Sequence, residues 1–230
     1  MRTTIMQLSN RTVDILRNYA SINENIVIEA GNVIKTMSPA KNLVSKAVIE
    51  ETFPQGFGIY DLPEFLSVLT LVDNPQITFS ENNCTVSDGS GLSSVKYFYS
   101  DPEMLSAPKK DITMPECEVK FLLNNDTLNK IKRASSALGH DEISITPSGG
   151  SIEISVLDTK DKTGNAFSIT VEGDYPEGAT FKYVMSVNNL KLIGEDYEVA
   201  ISSKLISNLK STSSELEYFI ALEKTSTFGE

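Results

Sequence analysis

The basic residues with a recognisable pattern fall in two stretches. Arg11 and Arg17 lie in LSNRTVDILRNYASI, residues 8–22; Lys130, Lys132 and Arg133 lie in LNNDTLNKIKRASSA, residues 123–137. Each stretch carries apolar residues at helical spacing. At about 100° per residue, Leu8, Thr12, Ile15, Tyr19 and Ile22 share one stripe, with Arg17 on the opposite side and Arg11 on a flank. In the second stretch Leu123, Thr127, Ile131, Ala134 and Leu138 form the stripe, Lys132 and Arg133 face away, and Lys130 sits at its edge. Cations held off the outer face of a helix can bind phosphates without reading a base sequence. For either stretch alone, an ordinary solvated helix face is the favoured reading. Repetition at equivalent places is what points to phosphates.

Other chemistry is sparse. The single histidine, His140, follows Gly139 and reads as a residue of an exposed turn, with no Ser/His/Asp or Cys/His set to build around it. Neither G-x-x-x-x-G-K-[ST] nor G-x-G-x-x-G occurs. The acidic groups Glu50 with Glu51, Asp141 with Glu142, and Asp158 with Asp161 lack partners at metal-site spacing and read as solvated loops. No cofactor is expected. The sequence therefore points to a binding or assembly protein rather than an enzyme.

The whole chain is acidic, with a formal net charge of −11 over 230 residues. That argues against a wholly basic nucleic-acid coat but leaves room for a basic patch, because charge can segregate by face. The start, MRTTIMQLSN, lacks the apolar run of a signal peptide, and no stretch is apolar enough to span a membrane. Cys84 and Cys117, without a C-x-x-C, read as two buried, reduced thiols of a cytoplasmic protein.

The elements that must position these cations are themselves repeated. Leu8, Asn10, Thr12, Leu16, Arg17 and Ser21 match Leu123, Asn125, Thr127, Ile131, Lys132 and Ser136 at an offset of 115. ENIVIEAG then corresponds to DEISITPSGG, each an alternating strand ending at a Gly turn. IYDLPEFLSVL corresponds to VMSVNNLKLIG, each read as a strand entering a second helix. PQITFS pairs with YEVAISS, and VKYFYS with LEYFIALE, as further strands. The preserved order implies two domains of one α+β design, 1–112 and 113–230, with a connector from about 100. Pro102, Pro108 and Pro115 make that connector a poor helix or central strand. Its Met104, Leu105, Ile112 and Met114 either pin it to the domains or line a groove for a partner.

Along nearly its whole length the chain resembles the DNA polymerase sliding clamps of T-even-like tailed bacteriophages. LSNRTVDILRNYASIN, IYDLPEFLSVLTLV, DPEMLSAP and EYFIALE carry the likeness through their order and spacing. The resemblance implies a ring of six similar domains, hence a homotrimer of two-domain chains, with helices on the inner wall, sheets outside and duplex DNA through the hole. It implies a DNA polymerase tethered for processive synthesis, an ATP-driven clamp loader, and a role as mobile activator of late transcription with host RNA polymerase, all in the cytoplasm of an infected cell. On that reading Arg11, Arg17, Lys130, Lys132, Arg133 and Lys191 face DNA. Lys191 would ride on the short second helix near VNNLKLIG, and LPEFLSVLTLV supplies no basic residue. Met104, Leu105, Ile112 and Met114, with Leu222 from the last strand, would take apolar partner tails. The competing expectations are a virion structural protein with duplicated α+β domains, and an enzyme with a site split between subunits.

Overall fold

A computed structural model describes residues 5–161 and 163–229. The chain divides into two compact units, 1–110 and 111–230. In the first, the elements run β1 (Ile5–Met6), α1 (Asn10–Ile22), β2 (Ile26–Ile28), β3 (Gly31–Met37), β4 (Leu43–Phe53), β5 (Phe57–Ile59), α2 (Leu62–Leu69), β6 (Gln76–Phe79), β7 (Asn83–Ser87) and β8 (Ser94–Phe98). One sheet has the order β1-β6-β7-β8, while β2 pairs with β5 and β3 with β4, all antiparallel. A single 3-10 turn, Pro102–Met104, follows, and the rest of the connector to residue 117 forms neither helix nor strand.

The second unit contains β9 (Val119–Leu123), α3 (Asn125–Leu138), β10 (Glu142–Ser148), β11 (Ser151–Leu157), β12 (Phe167–Val171), β13 (Gly173–Asp174), β14 (Thr180–Ser186), β15 (Tyr197–Ser202), β16 (Ile206–Ser211), β17 (Leu216–Ala221) and β18 (Thr227–Gly229). Its strands form the orders β12-β11-β10-β14-β18 and β13-β9-β15-β16-β17. The hairpin expected at Gly149 and Gly150 joins β10 to β11, and both glycines take positive φ, +57° and +88°. Only a residue without Cβ enters that tight turn at no steric cost. The fold is α+β, as the sequence implies.

Both basic helices begin later than the apolar spacing suggests. Leu8 lies before the helix and is half-buried, because Ser9 takes the cap position: its Oγ accepts from Thr12 N at 3.2 Å. In the second unit Asn124 caps, its Oδ1 accepting from Thr127 N at 2.8 Å, and Leu123 is the last residue of β9. A side-chain acceptor at this position satisfies an amide that the helix cannot. α3 ends on Gly139 at φ +69°, a left-handed C-cap, and His140 stands half-buried just beyond it with Nε2 2.9 Å from the Asn165 carbonyl.

The buried stripes are also wider or rotated. α1 buries Thr12, Ile15, Leu16, Tyr19 and Ile22 against α2, β3 and β4. α3 buries Thr127, Leu128, Ile131 and Ser135 and packs on β11, leaving Ala134 and Leu138 half-buried. The expected second helix of the second half is absent. A one-turn 3-10 helix, Val187–Asn189, stands there, followed by irregular chain to Asp196. Asn188, Asn189 and Gly194 favour caps and turns over helix interiors, and Asn189 is itself buried.

A carboxylate from β4 completes the start of α1. Glu51 Oε2 accepts from Thr12 Oγ1 at 2.5 Å, and its Oε1 accepts from the Ser9 amide. Burial raises the Glu51 carboxyl, but the bonds from Thr12 and Ser9 outweigh it and hold it below the usual range. A group with a depressed folded pKa stabilises above its unfolded pKa, and that contribution is lost as pH falls through the folded value. Glu51→Gln should therefore cost about 1 kcal/mol near neutrality, the worth of an N-cap contact. Its melting curve should converge on the parent's as the medium becomes more acidic than the carboxylate range. A constant gap across the pH series would show that the ionised carboxylate contributes nothing.

Candidate nucleic-acid interface

Because α1 buries its opposite side, Arg17 projects into solvent, where its Nη1 stands 3.0 Å from Asp14 Oδ1. Arg11, nearer the start of the helix, is half-buried. On α3, Lys130 is exposed and pairs with Asp126 Oδ2 at 2.6 Å, one turn toward the N-terminus. Arg133 is exposed, with Nε 3.4 Å from the Asn129 carbonyl.

Lys132 departs from the expectation that it faces away from the protein. It is half-buried, its Nζ donates to the Leu192 carbonyl at 3.4 Å, and burial holds its ammonium below the usual lysine value. The cause is the irregular segment that replaces the expected helix: it brings the Leu192 carbonyl within reach of α3. The same segment carries Lys191, which is exposed but rides on no helix. Tyr197 Oη donates to the Ile193 carbonyl at 2.7 Å, and the amide of Asn125 donates to Asp196 Oδ1 at 2.7 Å, so the end of the segment is tied down.

Asp126, Asn129, Lys132, Arg133 and Ser136 line an open concavity of about 530 Å³ on the outer side of α3. Asn129 and Ser136 escape a search for charge. Their signal is spacing, since Asn129, Lys132, Arg133 and Ser136 fall at i, i+3, i+4 and i+7 on one helix face. All four can donate hydrogen bonds. A shallow trough of donors suits a chain of phosphates better than an enclosed small molecule.

The candidate partner residues differ in exposure. Met104 is 84% exposed at the end of the 3-10 turn. Leu105 is half-buried and covers Gly58, where a Cβ would lie 2.7 Å from Leu105 Cδ1. Ile112 and Met114 are half-buried in the second unit. Leu222 departs from the expected strand placement: it follows β17, is 6% exposed, and belongs to the core. Its amide donates to the Leu205 carbonyl at 3.0 Å, which closes the β16–β17 end.

Among the described residues no cluster of His, Cys, Asp and Glu could hold a metal ion, and no helix is long and apolar enough to cross a membrane. Cys84 is buried, and desolvation pushes its thiol up to about 11. Cys117 is half-buried, and both cysteines are free thiols.

Residues 9–114 match the family model for the DNA polymerase processivity factor, and residues 120–224 match that for the gp45 sliding clamp, C terminal. The sliding clamp of Vibrio phage KVP40 is 33% identical over 223 residues, covering 95% of this chain and 99% of that one. The sliding clamps of Escherichia phage RB69 and Enterobacteria phage T4 are each 30% identical, covering 96% of this chain and 99% of theirs. Among solved structures, the A. fulgidus PCNA bound to the C-terminal region of FEN-1 aligns with a TM-score of 0.70 at 14% identity, covering 99% of this chain and all of that one. The PCNA2–PCNA3 complex of Sulfolobus tokodaii aligns at 0.67 and 16%, covering 96% and 99%. At such identities these likenesses show the clamp fold alone.

Proposed function

The chain belongs to the gp45-type sliding clamps of T4-like phages, DNA polymerase processivity factors rather than enzymes, and from that premise we propose that it encircles duplex DNA as a homotrimer and tethers the replicative polymerase. Family membership sets aside the virion structural alternative. The observation that carries the reading is the repeat of one amphipathic helix, α1 and α3, each presenting exposed cations away from its core. A clamp needs contacts that hold phosphates weakly and ignore sequence, and Arg17, Lys130 and Arg133 supply them. Arg11, the half-buried Lys132 and Lys191 extend the same lining. The acidic remainder of the surface keeps DNA off the outside.

Two edge strands support closure into a ring. β8 ends a sheet of the first unit and β12 begins one in the second. Edge strands present unpaired backbone groups, and head-to-tail pairing of β8 with β12 of the next chain satisfies both. Three chains of 25.2 kDa give an assembly of about 76 kDa. The exposed Met104, with Leu105, Ile112 and Met114 of the connector, offers apolar anchors for tails of the polymerase and of the loader ATPase. The same surface would serve late-transcription factors acting with host RNA polymerase, in the cytoplasm of the infected cell.

Topology gives the test. Labelled protein loaded with clamp loader and ATP onto nicked circular DNA should elute with the circle at a salt concentration that abolishes its binding to short duplexes. Cutting the circle once should release it. Equal retention on cut and uncut DNA would overturn encirclement, and so would a stable monomer at micromolar concentration.

A further inference from the structure

The cations that this reading turns toward DNA are not all free to bind it. Arg17 is held by Asp14 at 3.0 Å, and Lys130 by Asp126 at 2.6 Å, each pair lying along its own helix at i,i+3 or i,i+4. All four side chains are substantially exposed, from 44% for Lys130 to 68% for Asp126. None of them is anchored in the core, so the pairs do little for the fold. Asp126 also lines the donor trough of α3 and is its sole carboxylate. On a wall that must attract phosphates, a carboxylate bound to a basic side chain works against attraction.

We propose that Asp14 and Asp126 are grip-limiting residues: each competes with a DNA phosphate for its neighbouring cation and so keeps the contact weak enough for the ring to slide. The inference rests on the reading that α1 and α3 face the duplex. For a phosphate to gain Arg17 fully, the guanidinium must leave Asp14, and the carboxylate then repels the phosphate. Topology already supplies residence time to a closed ring, so tight contacts would add friction without adding retention. The acid is not at the same place in the two helices. Asp14 aligns with Asn129, and Asp126 with Arg11, at the offset of 115. Each helix nevertheless sets one acid against one of its exposed cations.

The experiment compares Asp14→Asn and Asp126→Asn with the parent trimer, by fluorescence anisotropy against a short labelled duplex and by tracking loaded rings along stretched DNA, across a salt series. Each variant should bind about three- to tenfold tighter near 0.1 M salt and diffuse correspondingly more slowly. Its slope of log K against log salt should steepen by about one for each cation released to a phosphate. Asp126→Glu, which keeps the charge one turn from Lys130, should behave as the parent. In an Arg17→Gln background, Asp14→Asn should lose most of its effect.

Arg133→Glu is the control for the surface itself. If it leaves DNA binding unchanged, the reading that α3 faces DNA falls, and the grip-limiting role with it. If Arg133→Glu weakens binding but both Asn variants match the parent, the wall stands and the grip-limiting role is wrong. An Asp14→Asn effect undiminished by Arg17→Gln would also overturn the proposal, because general charge, not the local pair, would then be responsible.

Discussion

A ring carrying Arg17→Glu together with Arg133→Glu should hold short duplex DNA about 100-fold more weakly than the parent near 0.1 M salt. Each phosphate that is no longer neutralised takes about 0.9 from the salt slope, or roughly eightfold in affinity at that concentration, so losing two contacts at a time, out of the six altered positions of the trimer, gives on the order of 100-fold. The variant gives up a cation on each repeated helix and puts a charge that repels phosphate in its place. Folding should survive. Arg17 and Arg133 are exposed, and exposed substitutions commonly change stability by within about 0.5 kcal/mol. Lys132 is deliberately left intact, because its bond to the Leu192 carbonyl and its half-burial would mix a packing defect into the result. The weakening should be the same on unrelated DNA sequences, since phosphates carry none of the base identity. Processivity of the polymerase on primed circles, with loader and ATP, should fall in parallel and fall further as salt rises. A variant indistinguishable from the parent at every salt concentration would mean that α1 and α3 show ordinary solvated faces.

What could be seen beforehand follows from which interactions are local. The repeat was legible because both helices write their apolar side at one spacing, and Tyr19 or Ile131 can sit nowhere but inside. The Gly149–Gly150 hairpin was legible because the turn demands residues that accept positive φ. Helix starts were misplaced by two residues because Leu8 and Leu123 continue the period, while capping by Ser9 and Asn124 decides where the helix begins. The missing helix after β14 was misread by analogy with LPEFLSVL: Asp61 caps α2 and Pro63 opens it, whereas VNNLKLIG has weak helix formers and a glycine.

The site divides along the same line. Exposure of Arg17 and Arg133 follows from helical phase, and Lys130, at the stripe's edge by phase, is exposed as well. The tether on Lys132 does not follow from phase, because its partner carbonyl is 60 residues away and belongs to a segment expected to be helical. The Asp14–Arg17 and Asp126–Lys130 pairs were in reach of the i,i+3 and i,i+4 rule, but a search for positive charge passes over acids. The resemblance puts Leu222 on the last strand, beside the groove. The strand ends at Ala221, and Leu222 turns into the core just beyond it.

The largest stability effect should come from Gly173, a position that no motif marks. β12 pairs with β11 up to Val171 opposite Ile152, and β13 pairs with β9 from Gly173 opposite Phe121. The chain therefore leaves the first sheet of the second unit and enters the other across the single residue Glu172. At such a corner the backbone runs close to both layers, and a glycine is the residue that fits. A Cβ at Gly173 would stand 2.4 Å from Ile152 Cδ1, 2.7 Å from the Lys120 carbonyl oxygen and 2.9 Å from Phe121 Cβ. Ile152 is fully buried and Phe121 nearly so, so neither can swing aside, and the carbonyl belongs to the ladder. Gly173→Ala should cost about 3 kcal/mol, at the upper end of overpacking, and lower the melting temperature by on the order of 5–10 °C. Gly139→Ala is the comparison: φ is +69° there, but a Cβ meets nothing within 4 Å, so it should cost only about 1 kcal/mol. Because the corner also aims β12, the edge proposed to pair with the next chain, Gly173→Ala should dissociate into monomers at protein concentrations where Gly139→Ala remains trimeric. If both variants melt together, the corner has room that the geometry denies. If Gly173→Ala melts early yet keeps its trimer at every dilution, the ring is closed by some edge other than β12.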